Sequence, residues 1–190
     1  MKEGETAIVL FRDLITQPGE TIQFHRDKID EYGYCWWGWW KKHIEDIPRH
    51  LLSHLAQISD EAVTGPRPTV FAFDCGTHRI YENDLQGIEI AANDEAMRSP
   101  EIEKTPEYYA HVKSAVWLKV SAIRDVVNAP ETLHSMTYVE FPTWRNSKYE
   151  EYRGKRIAGT TELDEMLVTF WHVYFHGKAQ MELPIVPTQE

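Results

Sequence analysis

The segment Trp36-Trp37-Gly38-Trp39-Trp40 carries the strongest fold information in this chain, because it places four of the seven tryptophans around one glycine. Side chains of a strand alternate between its two faces, so a strand here would have no polar face. A strand that is apolar on both faces is normally buried on both. The segment therefore predicts a closed barrel or a covered sheet.

The same segment is also a candidate binding site. Trp37 and Trp39 would share one face with Cβ atoms about 6.7 Å apart, near the spacing that clasps one planar ring. On the other face, Gly38 leaves a gap between Trp36 and Trp40 where a backbone or a ligand can approach. Since aromatic residues dominate cores, the alternative is that at least two of these indoles are core. Four rings are difficult to pack to native density without a partner, which favours a slot for the remainder.

The composition, with 42% hydrophobic and 26% charged residues in 190, is typical of a soluble globular protein. We expect one α+β domain over residues 1–180 and an extended tail over residues 181–190. The sequence has neither an apolar run near the ~20 residues of a membrane span nor a signal-peptide pattern, so we expect no membrane partner and a cytoplasmic location. Cys35 and Cys75 are expected to be free thiols.

The net charge of −10 argues against a protein whose affinity rests on neutralising many phosphates. It is compatible with a module that reads one base or one nucleotide. An anion would be expected at the main basic concentrations, which are Lys41, Lys42 and Arg49, and Arg145, Lys148, Arg153, Lys155 and Arg156.

Hydrophobic periodicity predicts alternating strands and helices along the chain. The predicted strands cover residues 7–14, 34–41, 69–75, 79–81 with 85–91, 114–120, 136–141 and 167–175. One predicted helix is capped by Thr21 and ends before Gly33, a second carries the apolar stripe of residues 44–58, and a short third covers residues 107–112. This order predicts an α+β fold with a strongly bent or closed, mostly antiparallel sheet or barrel and two or three helices.

The strands after the second helix resemble the PUA-like barrels, the group that contains the EVE, ASCH and YTH domains. The resemblance rests on TVFAFDCGTHRIYENDLQGIEIA (69–91), including Gly87-Ile88-Glu89-Ile90, and on Val116-Trp117-Leu118-Lys119-Val120. It covers residues 7–127. Members of this group bind single bases, often modified, in an aromatic pocket. The resemblance implies that such a pocket is lined by Trp36, Trp37, Trp39 or Trp40.

The stretch Asp74-Cys75-Gly76-Thr77-His78 is the most reaction-like cluster. It would bring a carboxylate, a thiol and an imidazole to one end of the sheet, where a nucleophile and a base can meet. Ordinary turn chemistry is the alternative, in which the Asp side chain accepts hydrogen bonds from backbone amides two residues on. No glycine-rich phosphate loop, triad or metal-ligand set accompanies the cluster, so we expect no cofactor.

Two groups of histidines have regular spacing. His50 and His54 would share a helix face, but Leu51 stands where a zinc helix of the H-E-x-x-H type needs its glutamate. His172, Tyr174 and His176 would share one face of the last strand. We predict that both groups face solvent and that the chain holds no metal.

The preferred function is a ligand-binding or sensing module that stacks a modified nucleobase or nucleotide on the indoles, at ~1–3 kcal/mol per base. A small hydrolase or transferase using Asp74, Cys75 and His78 is one alternative. A protein-interaction domain with an exposed aromatic patch is another, and a homodimer is compatible with it. The candidate ligand-binding residues are Trp36, Trp37, Trp39, Trp40, Lys41, Asp74, Trp117, Trp144 and Arg145.

Overall fold

The computed structural model describes residues 3–13, 19–39, 41–42, 45, 47, 49–64, 68–92, 96–141 and 147–177. Within these residues the chain forms seven strands, four α-helices and two short 3₁₀ helices, at Ile102–Lys104 and Ser147–Tyr152. Along the chain the strands and α-helices are β1 (Gly4–Phe11), α1 (Glu20–Tyr32), β2 (Cys35–Trp39), α2 (Arg49–Thr64), β3 (Thr69–Asp74), β4 (Arg79–Ile90), β5 (Val116–Asp125), α3 (Ala129–His134), β6 (Met136–Glu140), α4 (Thr160–Glu165) and β7 (Phe170–Phe175).

The strands form one sheet in the order β2-β5-β4-β3-β1-β7-β6. Strands β1 and β3 run parallel, and the other five neighbouring pairs are antiparallel. The predicted α+β class with a mostly antiparallel sheet is therefore confirmed. In the described residues β2 and β6 are the sheet's edges, so the sheet is open and not a closed barrel.

Both faces of the sheet are covered, as the doubly apolar tryptophan segment predicts. One face packs against α1 and α2 in a core that includes Ile22, Leu55 and Trp39. The other face packs against α3 and α4 in a second core that includes Leu133 and Leu163. The tryptophan strand β2 contributes to the first core only, and its other face is covered by the segment that carries Glu101 and Ser114.

Helix α1 ends where the sequence predicts, because Gly33 adopts the left-handed conformation (φ 80°) and its N–H bonds to the carbonyl of Ile29 at 2.7 Å. Its start differs from the prediction. Thr21 lies inside the helix, and the carboxylate of Asp13 accepts the N–H of Thr21 at 3.1 Å as well as that of Gly19. The prediction of a Thr21 cap is wrong, because the Asp13 carboxylate, just after β1, accepts the N–H groups at the start of the helix.

The sheet's longest strand joins two predicted pieces. The two predicted pieces, 79–81 and 85–91, correspond to one strand, β4, which ends at Ile90 and whose register with β5 shifts around Asp84, Leu85 and Gly87. A bulge of this kind bends the strand and increases its local twist. The predicted helix over residues 107–112 is a series of turns, whereas the two short helices α3 and α4 were not predicted. The structure thus has two long helices and two short ones.

The predictions of solvent exposure are wrong for His54 and His172, whereas His176 is exposed as predicted. His54 and His172 are only 7% and 5% exposed. Helix α2 lies over the face of β1 and β7 from which His172 projects, so both rings are enclosed between the helix and the sheet. The side chain of His50 and the predicted tail at 181–190 lie outside the described residues. None of the described helices is long and apolar enough to span a membrane.

Candidate functional site

A cavity of about 480 Å³ opens beside Trp37, at the carboxyl end of β1. Its volume falls in the range of roughly 300–1,000 Å³ that small-molecule sites occupy. Four aromatic side chains contribute to its wall, from β1, β2 and the turns before β5: Phe11, Trp37, Tyr108 and Tyr109. Aromatic walls with a few polar groups are typical of sites for flat ligands.

Trp37 has one of its faces covered by the protein itself. The imidazole of His25 stacks on the indole with ring centroids 3.9 Å apart and an angle of 26° between the planes. Phe11 meets the same indole edge to face, at 5.2 Å and 73°. These contacts fix the orientation of the ring, and they leave a ligand only the part of Trp37 that borders the cavity.

His25 is fully buried behind Trp37. Its Nδ1 lies 2.7 Å from the carbonyl oxygen of Thr21, which can only accept, so Nδ1 carries the proton. Its Nε2 lies 2.7 Å from the hydroxyl of Tyr109, and that hydroxyl lies 2.8 Å from the carbonyl oxygen of Trp36. Burial lowers the pKa of His25 to about 4, so the ring is neutral at pH 7. With a neutral ring, Nε2 of His25 and the carbonyl oxygen of Trp36 are both acceptors for the single hydroxyl proton of Tyr109. These two contacts fix the position of Tyr109 in the cavity wall.

The gap predicted beside Gly38 is filled by other parts of the chain. A Cβ on Gly38 would lie 3.0 Å from Cζ3 of Trp117 and 3.1 Å from Cβ of Ser114, and closer still to the Ser114 hydroxyl. Trp117 stands opposite Gly38 in the register of β2 and β5, and Tyr109 stacks parallel to it at 5.8 Å. Glycine is required here because an indole and a serine occupy the space of a side chain.

The other described tryptophans of the site prediction are packed inside the protein. The indole N–H of Trp39 donates to the Thr169 hydroxyl at 2.9 Å, and that of Trp36 donates to Glu101 at 2.8 Å. Trp117 donates to the carbonyl of Met97 at 3.0 Å. All three rings are at most 5% exposed and none of them lines the cavity. Trp37 lines it, and its indole N–H has no hydrogen-bond partner among the described residues.

Two cations and one carboxylate lie at the cavity: Arg12, Lys42 and Asp164. The ammonium of Lys42 donates to the carbonyl of Leu167 at 2.6 Å, which holds it at the rim. Lys41, the lysine chosen from the sequence, instead donates to the carbonyl of Glu45 and does not line the cavity. An anionic group on a ligand would therefore meet Arg12 and Lys42.

The Asp74 cluster has the geometry of a turn. Asp74 is buried, and its carboxylate accepts the N–H of Gly76 at 2.9 Å and the hydroxyl of Thr77 at 2.5 Å. Cys75 lines the cavity, but burial raises the pKa of its thiol, which keeps it in the weakly nucleophilic protonated form. His78 is turned outward, with Nε2 3.8 Å from the Asp164 carboxylate. These contacts favour the turn chemistry over the nucleophile and base.

Trp40, Trp144 and Arg145 lie outside the described residues. The sequence prediction missed Tyr108, Tyr109 and His25. Their only signals were the adjacent tyrosine pair and a histidine in a helix, and neither is distinctive without the fold.

A family model described as Pua-like matches residues 7–181, so the chain belongs to the PUA-like family. The match confirms the resemblance and extends it to the last strand. PUA-like domains often bind nucleic acids, so the fold is of an RNA- or nucleobase-binding type. No curated protein and no solved structure matches the chain.

Proposed function

We propose that this PUA-like domain binds the planar ring of a single nucleobase or nucleotide in the cavity beside Trp37. The observation that carries the proposal is the aromatic wall of Trp37, Tyr108 and Tyr109 around a cavity of about 480 Å³. A base stacked on such side chains gains ~1–3 kcal/mol per contact without a large basic surface. That mode of binding suits a chain with a net charge of −10.

The polar groups at the cavity fit the rest of a nucleotide. The indole N–H of Trp37, which has no hydrogen-bond partner among the described residues, and the hydroxyl of Ser114 supply hydrogen-bonding groups for the edge of a base. Arg12 and Lys42 supply cations for an attached phosphate. Two cations suffice for one phosphate, whereas a nucleic-acid tract would need a larger basic surface.

The interaction-domain alternative has less support. The five described tryptophans, Trp36, Trp37, Trp39, Trp117 and Trp171, are each at most 6% exposed. An exposed tryptophan patch is therefore absent from the described part of the chain. The homodimer remains a prediction.

The proposal is tested by titrating free bases, nucleosides, nucleotides and short modified-base oligonucleotides into the protein while following tryptophan fluorescence. Tyr108→Ala removes one stacking wall from a ring that is already 43% exposed, so the fold should persist. We expect the Kd to rise about 5- to 150-fold, the equivalent of one stacking contact.

Tyr32→Ala is the matched control, because Tyr32 is 37% exposed and does not line the cavity. It should bind like the wild type. Trp37→Leu should abolish binding while circular dichroism still reports a folded chain. The proposal fails if no ligand of the panel binds, or if Tyr108→Ala and Tyr32→Ala have equal affinities.

A further inference from the structure

Three polar side chains from three different elements converge at the opposite end of β1 from the cavity. Glu5 projects from β1, His54 from α2 and His172 from β7. In the register of β1 and β7, His172 stands opposite Ala7, two residues beyond Glu5 and on the same face. Diagonal neighbours of this kind are within reach of long side chains, and α2 brings His54 over the pair.

The donor atoms have the separation that one small cation requires. Oε2 of Glu5 lies 2.9 Å from Nδ1 of His54 and 3.3 Å from Nε2 of His172. One ligand atom from each of the three residues lies within 4.8 Å of the other two. Tetrahedral ligands at about 2.0–2.2 Å from an ion lie about 3.3–3.6 Å from each other. The distances between the donor atoms of Glu5 and the two histidines are therefore close to those around one bound ion.

We propose that Glu5, His54 and His172 form a binding site for one divalent transition-metal ion of the Zn²⁺ class. Two imidazoles and a carboxylate are a donor set for Zn²⁺ and its first-row neighbours, whereas Mg²⁺ and Ca²⁺ prefer all-oxygen sites. Both imidazoles are buried, and the side chain of Glu5 is 47% exposed. The ion would thus be held from the protein side and keep water on the Glu5 side.

The two imidazoles must turn to bind one ion. Their rings are stacked with centroids 3.5 Å apart and planes 22° apart, so their nitrogen lone pairs lie in nearly parallel planes. Lone pairs that bind one ion must converge, so the rings leave this stack.

The site is independent of the proposed base pocket. Glu5 precedes Phe11, a cavity residue, by six residues of the same strand, which is about 20 Å at strand spacing. An ion here would connect β1, β7 and α2, and it would raise the melting temperature because the unfolded chain does not hold the three donors together.

The test is calorimetric titration of ZnCl₂ into the full chain after treatment with a chelator. We expect one saturable site and a rise in melting temperature with Zn²⁺ that equimolar Mg²⁺ does not give. Co²⁺ in place of Zn²⁺ should give visible absorption bands of a nitrogen- and oxygen-ligated ion of low coordination number.

Glu5→Gln and His54→Gln should each weaken Zn²⁺ binding at least tenfold and remove the melting-temperature shift. Glu5→Gln changes a half-exposed side chain to one of the same shape, so its fold should be intact even if His54→Gln does not fold. His111→Gln, at an exposed histidine outside the cluster, is the matched control and should bind like the wild type. Absence of a saturable site, or wild-type affinity in Glu5→Gln, would overturn the proposal. Tyr108→Ala should leave Zn²⁺ binding unchanged, so the two proposals fail separately.

Discussion

Acidification from pH 7 to pH 5 should weaken the fold through His25, the imidazole stacked behind Trp37. The side chain is fully buried, and burial lowers its pKa from 6.5 to about 4. In this interval the unfolded chain binds a proton at His25 that the folded protein excludes. The stability that the neutral ring contributes is therefore complete above about pH 6.5 and is lost as the pH falls toward 4.

The size of the effect follows from the two pKa values. Proton binding at one such site lowers the free energy of unfolding by about 2 kcal/mol between pH 7 and pH 5, and by about 3 kcal/mol at pH 4. Ordinary carboxylates, with pKa values near 4, titrate little between pH 7 and pH 5. The loss is appreciable for a domain whose total stability is of the order of 5–15 kcal/mol.

The assay is urea unfolding at pH 7 and pH 5 of the wild type and of His25→Asn. The asparagine amide can donate to the Thr21 carbonyl, as Nδ1 does, but it does not take up a proton in this range. The pH dependence of the free energy of unfolding should be smaller in the variant by about 2 kcal/mol. A proton NMR titration of the His25 ring, assigned by its absence from the variant, gives the pKa directly. A midpoint at or above pH 6, or equal pH dependence in both proteins, would refute the reasoning.

Three further predictions concern the surroundings of the cavity. Gly38→Ala should lower the free energy of unfolding in urea by about 1–3 kcal/mol, and adding Ser114→Gly should recover part of the loss, since the new Cβ collides with that side chain. Glu45→Ala should cost about 2–4 kcal/mol in the same assay, because the buried carboxylate accepts the N–H and the hydroxyl of Thr169 at 2.7 and 2.6 Å. Cys75 should react with iodoacetamide at pH 7.5 more slowly than free cysteine, as measured by mass spectrometry; equal rates would contradict the raised pKa.

Much of the fold could be predicted because its main signals are local. The period-two apolar pattern of the tryptophan segment indicated burial on both faces. The face of Trp37 and Trp39 lies in the core under α1 and α2, and Glu101 and Ser114 lie against Trp36 and Gly38 on the other face. The glycine at position 33 marked the end of α1 because a left-handed residue ends a helix wherever it occurs. The short helices α3 and α4 were missed because six-residue helices depend on packing against the sheet, which the sequence does not display.

The site could be predicted only in part because it is assembled from irregular segments. Trp37 belongs to a strand and was found by its alternation. Tyr108 and Tyr109 belong to turns that have no periodicity, and they reach the cavity through contacts with His25 and Trp117. Because such contacts join residues far apart in the chain, no local sequence pattern predicts them.

Hydrogen bonding distinguishes the indoles of this segment and of its neighbour Trp117 from one another, although Trp171, in the second core, has an N–H with no partner among the described residues. An indole N–H that is buried needs an acceptor, and the protein supplies one for Trp36, Trp39 and Trp117. These three rings are thereby fixed in place, and Gly38 is the residue that lets Trp117 approach. Trp37 is held by ring contacts alone, with its N–H free of partners among the described residues and its edge at the cavity. Of the described residues in the segment, Trp36 and Trp39 are structural indoles and Gly38 makes room for Trp117, whereas Trp37 is the tryptophan that lines the cavity.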